Sequence, residues 1–113
     1  MATKPLQILL FGRSMQIGQS LQHALNPTYI LTQFTTLPEI LTQLQTRHAS
    51  YNGVLIGGGI DEDSRAKVVE ECKGVGIRVV AVPPGFARDV GMENIGSKTK
   101  EMLDREFLIE GKM

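Results

Sequence analysis

The residues of this chain best suited to chemistry are Gly12, Arg13 and Ser14, with Gly18 a helical turn further on. They follow the apolar run Leu6 to Phe11. A glycine there lets backbone approach a ligand closely, and Arg13 supplies positive charge. Ser14 is placed to cap a helix, whose first N–H groups point outward with a partial positive charge. Residues of these types in this order suit capture of a phosphate. The plainer reading of the same residues is a tight turn, a helix cap and an arginine that sits in solvent or pairs with a carboxylate.

Gly57-Gly58-Gly59 is the second candidate. Three residues without side chains let a ligand lie directly on backbone. A turn needing positive φ at two of them accounts for them equally well. Thr35, at the end of another strand-like run, is a third contact. Asp61, Glu62 and Asp63 follow the glycines and would repel an anion at that point. Consecutive carboxylates do not converge on one ion, so they read as a dipole-matched first turn, and no metal site is assigned. His23 and His48 fall on different helices, and Cys72 reads as a small core residue. No Ser-His-Asp, Cys-His or metal-ligand spacing is present, so no catalytic residue is assigned and binding is expected rather than catalysis.

The elements that must position these residues alternate along the chain. Strands are expected at Leu6 to Phe11, Thr28 to Phe34, Asn52 to Ile56 and Arg78 to Val82, apolar and largely β-branched or aromatic. Helices are expected between them. Met15 to Leu25 carries Ile17, Leu21, Ala24 and Leu25 on one face, with Gly18 on the same side. Gly18 costs that helix about 1 kcal/mol relative to alanine, which close packing against a strand would offset. The second helix starts on a capping box, Thr36 with Glu39, and ends near His48. The third runs from Asp61 to Lys73 with Ala66, Val69 and Cys72 inward, beside Val68, and Gly74 as its cap. Residues 86–96 are a loop or a short helical turn, and a last helix spans Ser97 to Glu110 with Thr99, Met102, Leu103, Glu106 and Phe107 near one face.

A βαβαβαβα order with short connections implies a parallel sheet with right-handed crossovers and helices on both faces. The expected fold is a single three-layer α/β domain over residues 1–113, doubly wound and flavodoxin/Rossmann-like, with strand order 2-1-3-4. Ligands of such sheets bind where the strand order reverses. Gly12, Arg13, Ser14 and the three glycines all fall at that crevice, with Pro83 to Gly85 further off.

Composition narrows the partners. The 113 residues carry 42% hydrophobic and 21% charged residues and zero formal net charge. A balanced charge without a Lys/Arg block argues against nucleic-acid binding. Two Tyr, four Phe and no Trp are too few for a base-stacking platform. The run Leu6 to Phe11 is too short to span a bilayer, so no membrane role is expected. One cysteine fits a reducing, cytoplasmic setting.

The turn Gly12-Arg13-Ser14-x-x-Ile17-Gly18 resembles the Gly-Arg-Ser-x-x-Val-Gly turn in the cofactor-binding half of methylenetetrahydrofolate dehydrogenase/cyclohydrolase enzymes. The resemblance covers this motif and the element order over roughly residues 6 to 82. It implies a dinucleotide at the turn, NADP or another phosphorylated nucleotide, with Arg13 and Ser14 at a phosphate and Gly12 and Gly18 giving close approach. Ser20 stands where that family has a proline, and 113 residues leave no room for its catalytic domain. Dehydrogenase activity is therefore not implied.

Size and element order also resemble the receiver domains of two-component response regulators. Those need acidic residues after the first strand and a phosphoacceptor aspartate after the third; Gly12-Arg13 and Gly57-Gly58 stand there instead. The alternative to a small nucleotide-binding domain is thus a receiver-like interaction module without phosphotransfer. Its homodimer would form through the last helix, where Met102, Leu103, Phe107, Leu108 and Ile109 make a wide apolar strip. A small enzyme completed by a partner subunit is a third alternative.

Overall fold

The structure is a computed structural model that describes residues 4–108. Four strands, β1 (Leu6–Phe11), β2 (Tyr29–Phe34), β3 (Gly53–Ile56) and β4 (Arg78–Ala81), alternate with helices α1 (Met15–Leu25), α2 (Leu37–Arg47) and α3 (Glu62–Val75). A short α4 (Phe86–Val90) and a final α5 (Ile95–Phe107) complete the chain. The strands form one parallel sheet in the order β2-β1-β3-β4. This is a Rossmann/flavodoxin-like α/β fold, doubly wound as the alternation implies.

The central strand explains the two-sided core. Ile8, Leu9, Leu10 and Phe11 are all buried, because a strand covered on both faces has no polar side. Ile8 and Leu10 pack with Leu21, Leu25, Leu55 and Leu103 under α1 and α5. Leu9 and Phe11 pack with Ile40, Leu44, Val54 and Val68 under α2 and α3. Each such side chain contributes about 1.5–3 kcal/mol by leaving water.

Local signals set most helix ends. Ser14 accepts from the Ile17 N–H, Thr36 from that of Glu39 and Asp61 from that of Ser64. Asp61 is therefore the N-cap of α3 rather than part of its first turn. In the capping box the return bond changes partner: the Thr36 hydroxyl donates to the Glu39 carboxylate at 2.8 Å.

Other ends depart from the sequence reading. Helix α3 runs past Gly74 to Val75 and stops at Gly76, whose φ of 76° lets its N–H reach the Cys72 and Lys73 carbonyls. Its inward residues are Val68 and Cys72, with Val69 half-buried and Ala66 exposed. His48–Ser50 form one 3-10 turn after α2. Residues 86–94 hold α4 and a turn, and α5 begins at Ile95, two residues early. The end of the expected last helix, including Ile109, lies outside the described residues.

Candidate functional site

The crevice sits at the C-terminal ends of β2, β1, β3 and β4. Backbone bonds tie these ends together: the Gly12 N–H donates to the Phe34 carbonyl at 3.2 Å, and the Gly57 N–H to that of Phe11 at 2.8 Å. Gly12 to Ser14 and Gly57 to Gly59 are thereby brought side by side, as the strand order requires.

At the first turn, the Gln33 side chain takes a place that the sequence left unassigned. Its Nε2 donates to the carbonyls of Gly12, at 2.9 Å, and Ser14, at 3.0 Å. A Cβ on Gly18 would fall 1.8 Å from Gln33 Oε1. Gly18 therefore gives α1 its close approach to β2, by leaving room for Gln33. Arg13 pairs with Asp61 at 3.2 Å, both side chains more than half exposed. An exposed pair of this kind is weak and screened by salt. The Asp61 carboxyl is held below its usual range mainly by the Ser64 N–H and hydroxyl, with Arg13 a smaller cause.

The glycine loop is held from beneath by Arg65. Its Nε donates to the Ile60 carbonyl at 2.9 Å and its Nη2 to that of Gly57 at 2.9 Å. The same Nη2 also donates to the Val82 carbonyl, joining the loop to the end of β4. A trans peptide directs its N–H away from its C=O. With the Gly57 carbonyl turned to Arg65, the Gly58 N–H is turned away from it.

None of the three glycines has a positive φ; the left-handed glycines among the described residues are Gly76, Gly85 and Gly91. The left-handed turn expected as an explanation of the triplet is therefore absent. Gly58 needs its small size, because a Cβ there would lie 2.9 Å from the Pro83 carbonyl oxygen. Gly59 has open space around it, and at Gly12 a Cβ would make only ordinary contacts, the nearest at 3.5 Å.

Two cavities meet over this loop. The smaller, about 130 Å³, is bordered by Gly12, Arg13, Ser14, Gly18 and Gln33. The larger, about 310 Å³, runs beneath Phe86 and Ala87 of α4 to Ile95 and Thr99 of α5. Leu10, Ile17, Leu21 and the three glycines line both, so the two form one cleft. Thr35 lines neither. His23 is exposed on α1, and His48 sits at the other end of the strands with Nδ1 3.0 Å from the Leu44 carbonyl. Cys72 is buried, and burial pushes its thiol up to about 11, which leaves it protonated and unreactive. Among the described residues no group of three His, Cys, Asp or Glu side chains is placed to hold a metal.

Sequence reading placed Thr99 on the inner face of the last helix but gave it no role. A hydroxyl beside Met102, Leu103 and Phe107 on that face is the signal that marks it. Gln33, Arg65 and Phe86 carried no such signal, since their contacts join distant elements.

No family model and no curated protein matches this chain. Among solved structures, it is similar to the solution NMR structure of a de novo designed Rossmann 2x3 fold protein. The two share 11% identity over 91% of each chain, with a TM-score of 0.62. At that identity the likeness bears on the fold and on nothing else.

Proposed function

We propose that this Rossmann-like domain binds a small phosphorylated nucleotide across the ends of β1 and β3, as a binding or accessory domain without catalysis of its own. One observation carries the reading. Gly12 and Gly59 border a single cleft without a positive φ, with room for a Cβ at each. The fold itself has no need of glycine at these two positions, whereas a ligand lying against backbone does. The phosphate end belongs at Gly12 to Ser14, where α1 opens its first N–H groups and Arg13 can exchange Asp61 for a ligand anion. Adenine or ribose then lies over Gly57 to Gly59. The resemblance of the first turn makes NADP the first ligand to test. The unreactive single thiol suits a cytoplasmic protein.

The test is a thermal-shift titration with NADP, NAD, ATP and inorganic phosphate, alongside Arg13→Ala. Binding to the folded state alone adds about 2.7 kcal/mol at a hundred times Kd. A shift with NADP that is lost in the variant is the expected result. No shift with any of the four at millimolar concentration overturns the reading.

The Arg13–Asp61 pair favours a second reading, an interaction module in which the first turn is satisfied within the protein. Such a module would pair as a homodimer through the end of α5. Met102 and Phe107 pack partly against the core there, and Leu108 is 41% exposed. Sedimentation equilibrium checks it: a monomer at high micromolar concentration removes the dimer.

A further inference from the structure

The larger cavity lies beyond Gly12 to Ser14, where the phosphate end is placed, and its chemistry is different. Its walls are Leu21, Leu55, Val82, Phe86 and Ile95, and its floor is the glycine loop. One buried polar side chain is on its lining. Thr99 is 1% exposed and lines the cavity. Every fully enclosed side-chain nitrogen and oxygen among the described residues has a hydrogen-bond partner. No hydrogen bond to a described residue engages the Thr99 hydroxyl, and its side chain lines the cavity.

We infer that this pocket takes the uncharged heteroaromatic ring of the ligand, with Phe86 against the ring and the Thr99 hydroxyl as its deep hydrogen-bond partner. The assignment rests, for the direction in which the ligand lies, on the reading of the first turn as the phosphate end. A charged group in the pocket would lose its water with no opposite charge at depth, which is costly. The one cation on the lining, Arg88, is exposed at the mouth, where it pairs with Asp89 at 3.8 Å. A ring meets the apolar walls and the side-chain-free floor without that loss. A hydroxyl both donates and accepts, so it can pair with either kind of polar atom on the ring's edge. A volume near 310 Å³ is at the small end for ligand pockets and suits one ring system. The ligand therefore lies with its phosphate at α1 and its base under α4.

The experiment compares three probes: ribose 5-phosphate, adenosine and AMP. Each is titrated by calorimetry into the wild-type chain and into Thr99→Val, Thr99→Ser and Arg13→Ala. Thr99→Val keeps the side-chain shape and removes the hydroxyl. It is expected to weaken adenosine and AMP about tenfold and leave ribose 5-phosphate unchanged, with Thr99→Ser restoring most of the loss. Arg13→Ala is expected to do the reverse, weakening both phosphates and sparing adenosine. In the wild-type chain, nuclear Overhauser contacts should join the adenine protons to the Phe86 ring and the Thr99 methyl. That measurement decides the matter if a variant fails to fold.

Equal adenosine affinity in Thr99→Val and wild type, adenine contacts elsewhere, or no adenosine binding at millimolar concentration would overturn the ring pocket. Adenosine bound with the expected contacts while ribose 5-phosphate fails to bind would uphold the pocket and remove the phosphate reading.

Discussion

The first turn and the glycine loop stand side by side at the same end of the sheet, both rich in glycine, yet they use it differently. At the first turn the protein has filled much of the space itself. Gln33 occupies the room that Gly18 leaves and takes the Gly12 and Ser14 carbonyls, and Asp61 holds Arg13. In the glycine loop the one side chain that fastens the backbone is Arg65, from below, beside the Gly57 N–H bond to Phe11, and the upper side borders the larger cavity. Glycine next to a strand end is thus no guide to a ligand until its neighbours are known. At Gly18 and Gly58 the neighbour is protein, and at Gly59 it is open space.

The largest effect should come from cutting the fastening of the glycine loop. Arg65→Ala leaves the Gly57, Ile60 and Val82 carbonyls without their charged donor and should cost about 3 kcal/mol in urea unfolding. A cost below about 1 kcal/mol would mean that the loop holds its shape unaided, and the contrast with the first turn would fail.

Tyr29, the first residue of β2, gives a control at the opposite end of the sheet from both turns. Its hydroxyl donates to Asp104 at 2.7 Å, and Lys100 also reaches that carboxylate at 2.8 Å. Tyr29→Phe should cost about 2 kcal/mol, the range for a hydrogen bond to a charged group, without altering ligand affinity. Burial first, and then Asp104, raise the Tyr29 pKa above its ordinary value near 10. The folded state therefore keeps the proton more strongly than the unfolded chain does. Its stability contribution is complete below pH 10 and declines as the pH rises beyond that. Urea midpoints of the wild type should fall on that alkaline limb, and those of the variant should fall less.

A smaller effect is expected at the first turn. Gly18→Ala drives Gln33 from its place but gains helix propensity, for a net cost of about 1 kcal/mol. Combining it with Gln33→Ala should recover part of that cost, as two residues sharing one space must couple. Additive losses in the double-mutant cycle would show that Gly18 is small for another reason.

Smallest of all is Gly59→Ala. With open space and an ordinary φ, it should change stability by no more than about 0.5 kcal/mol. Its effect should appear instead as weaker binding of NADP in the thermal-shift titration. A large loss of stability would return the glycine to the fold and remove the main support for the ligand reading.

Features encoded within a few residues were legible in the chain. Apolar runs of strand length and the caps Ser14 and Thr36 gave the alternation, and the alternation gave the strand order. Segment 86–94 was not legible. Its short helix α4 packs Phe86, Ala87 and Val90 on the core from outside any long periodic pattern. Nor was the stop of α3, where Gly74 and Gly76 are equivalent by local rule and the position of β4 selects the second. At the site, Gly12, Arg13, Ser14 and the glycine triplet were recognisable from residue type and order. Thr99 was recognisable as inward-facing but not as a cavity residue.

By itself, then, the sequence determined that this is a parallel α/β domain in the order 2-1-3-4 with its glycines at the switch point. Short-range periodicity, capping and chirality act within one element or between successive ones, and they leave few alternatives. Tertiary structure alone decided what each glycine faces. Gln33 against Gly18, Arg65 beneath Gly57 and Thr99 across the cavity from the glycine loop join residues that are 15, 8 and roughly 40 positions apart. Contacts across such separations depend on how whole helices settle on the sheet, and no local pattern records that.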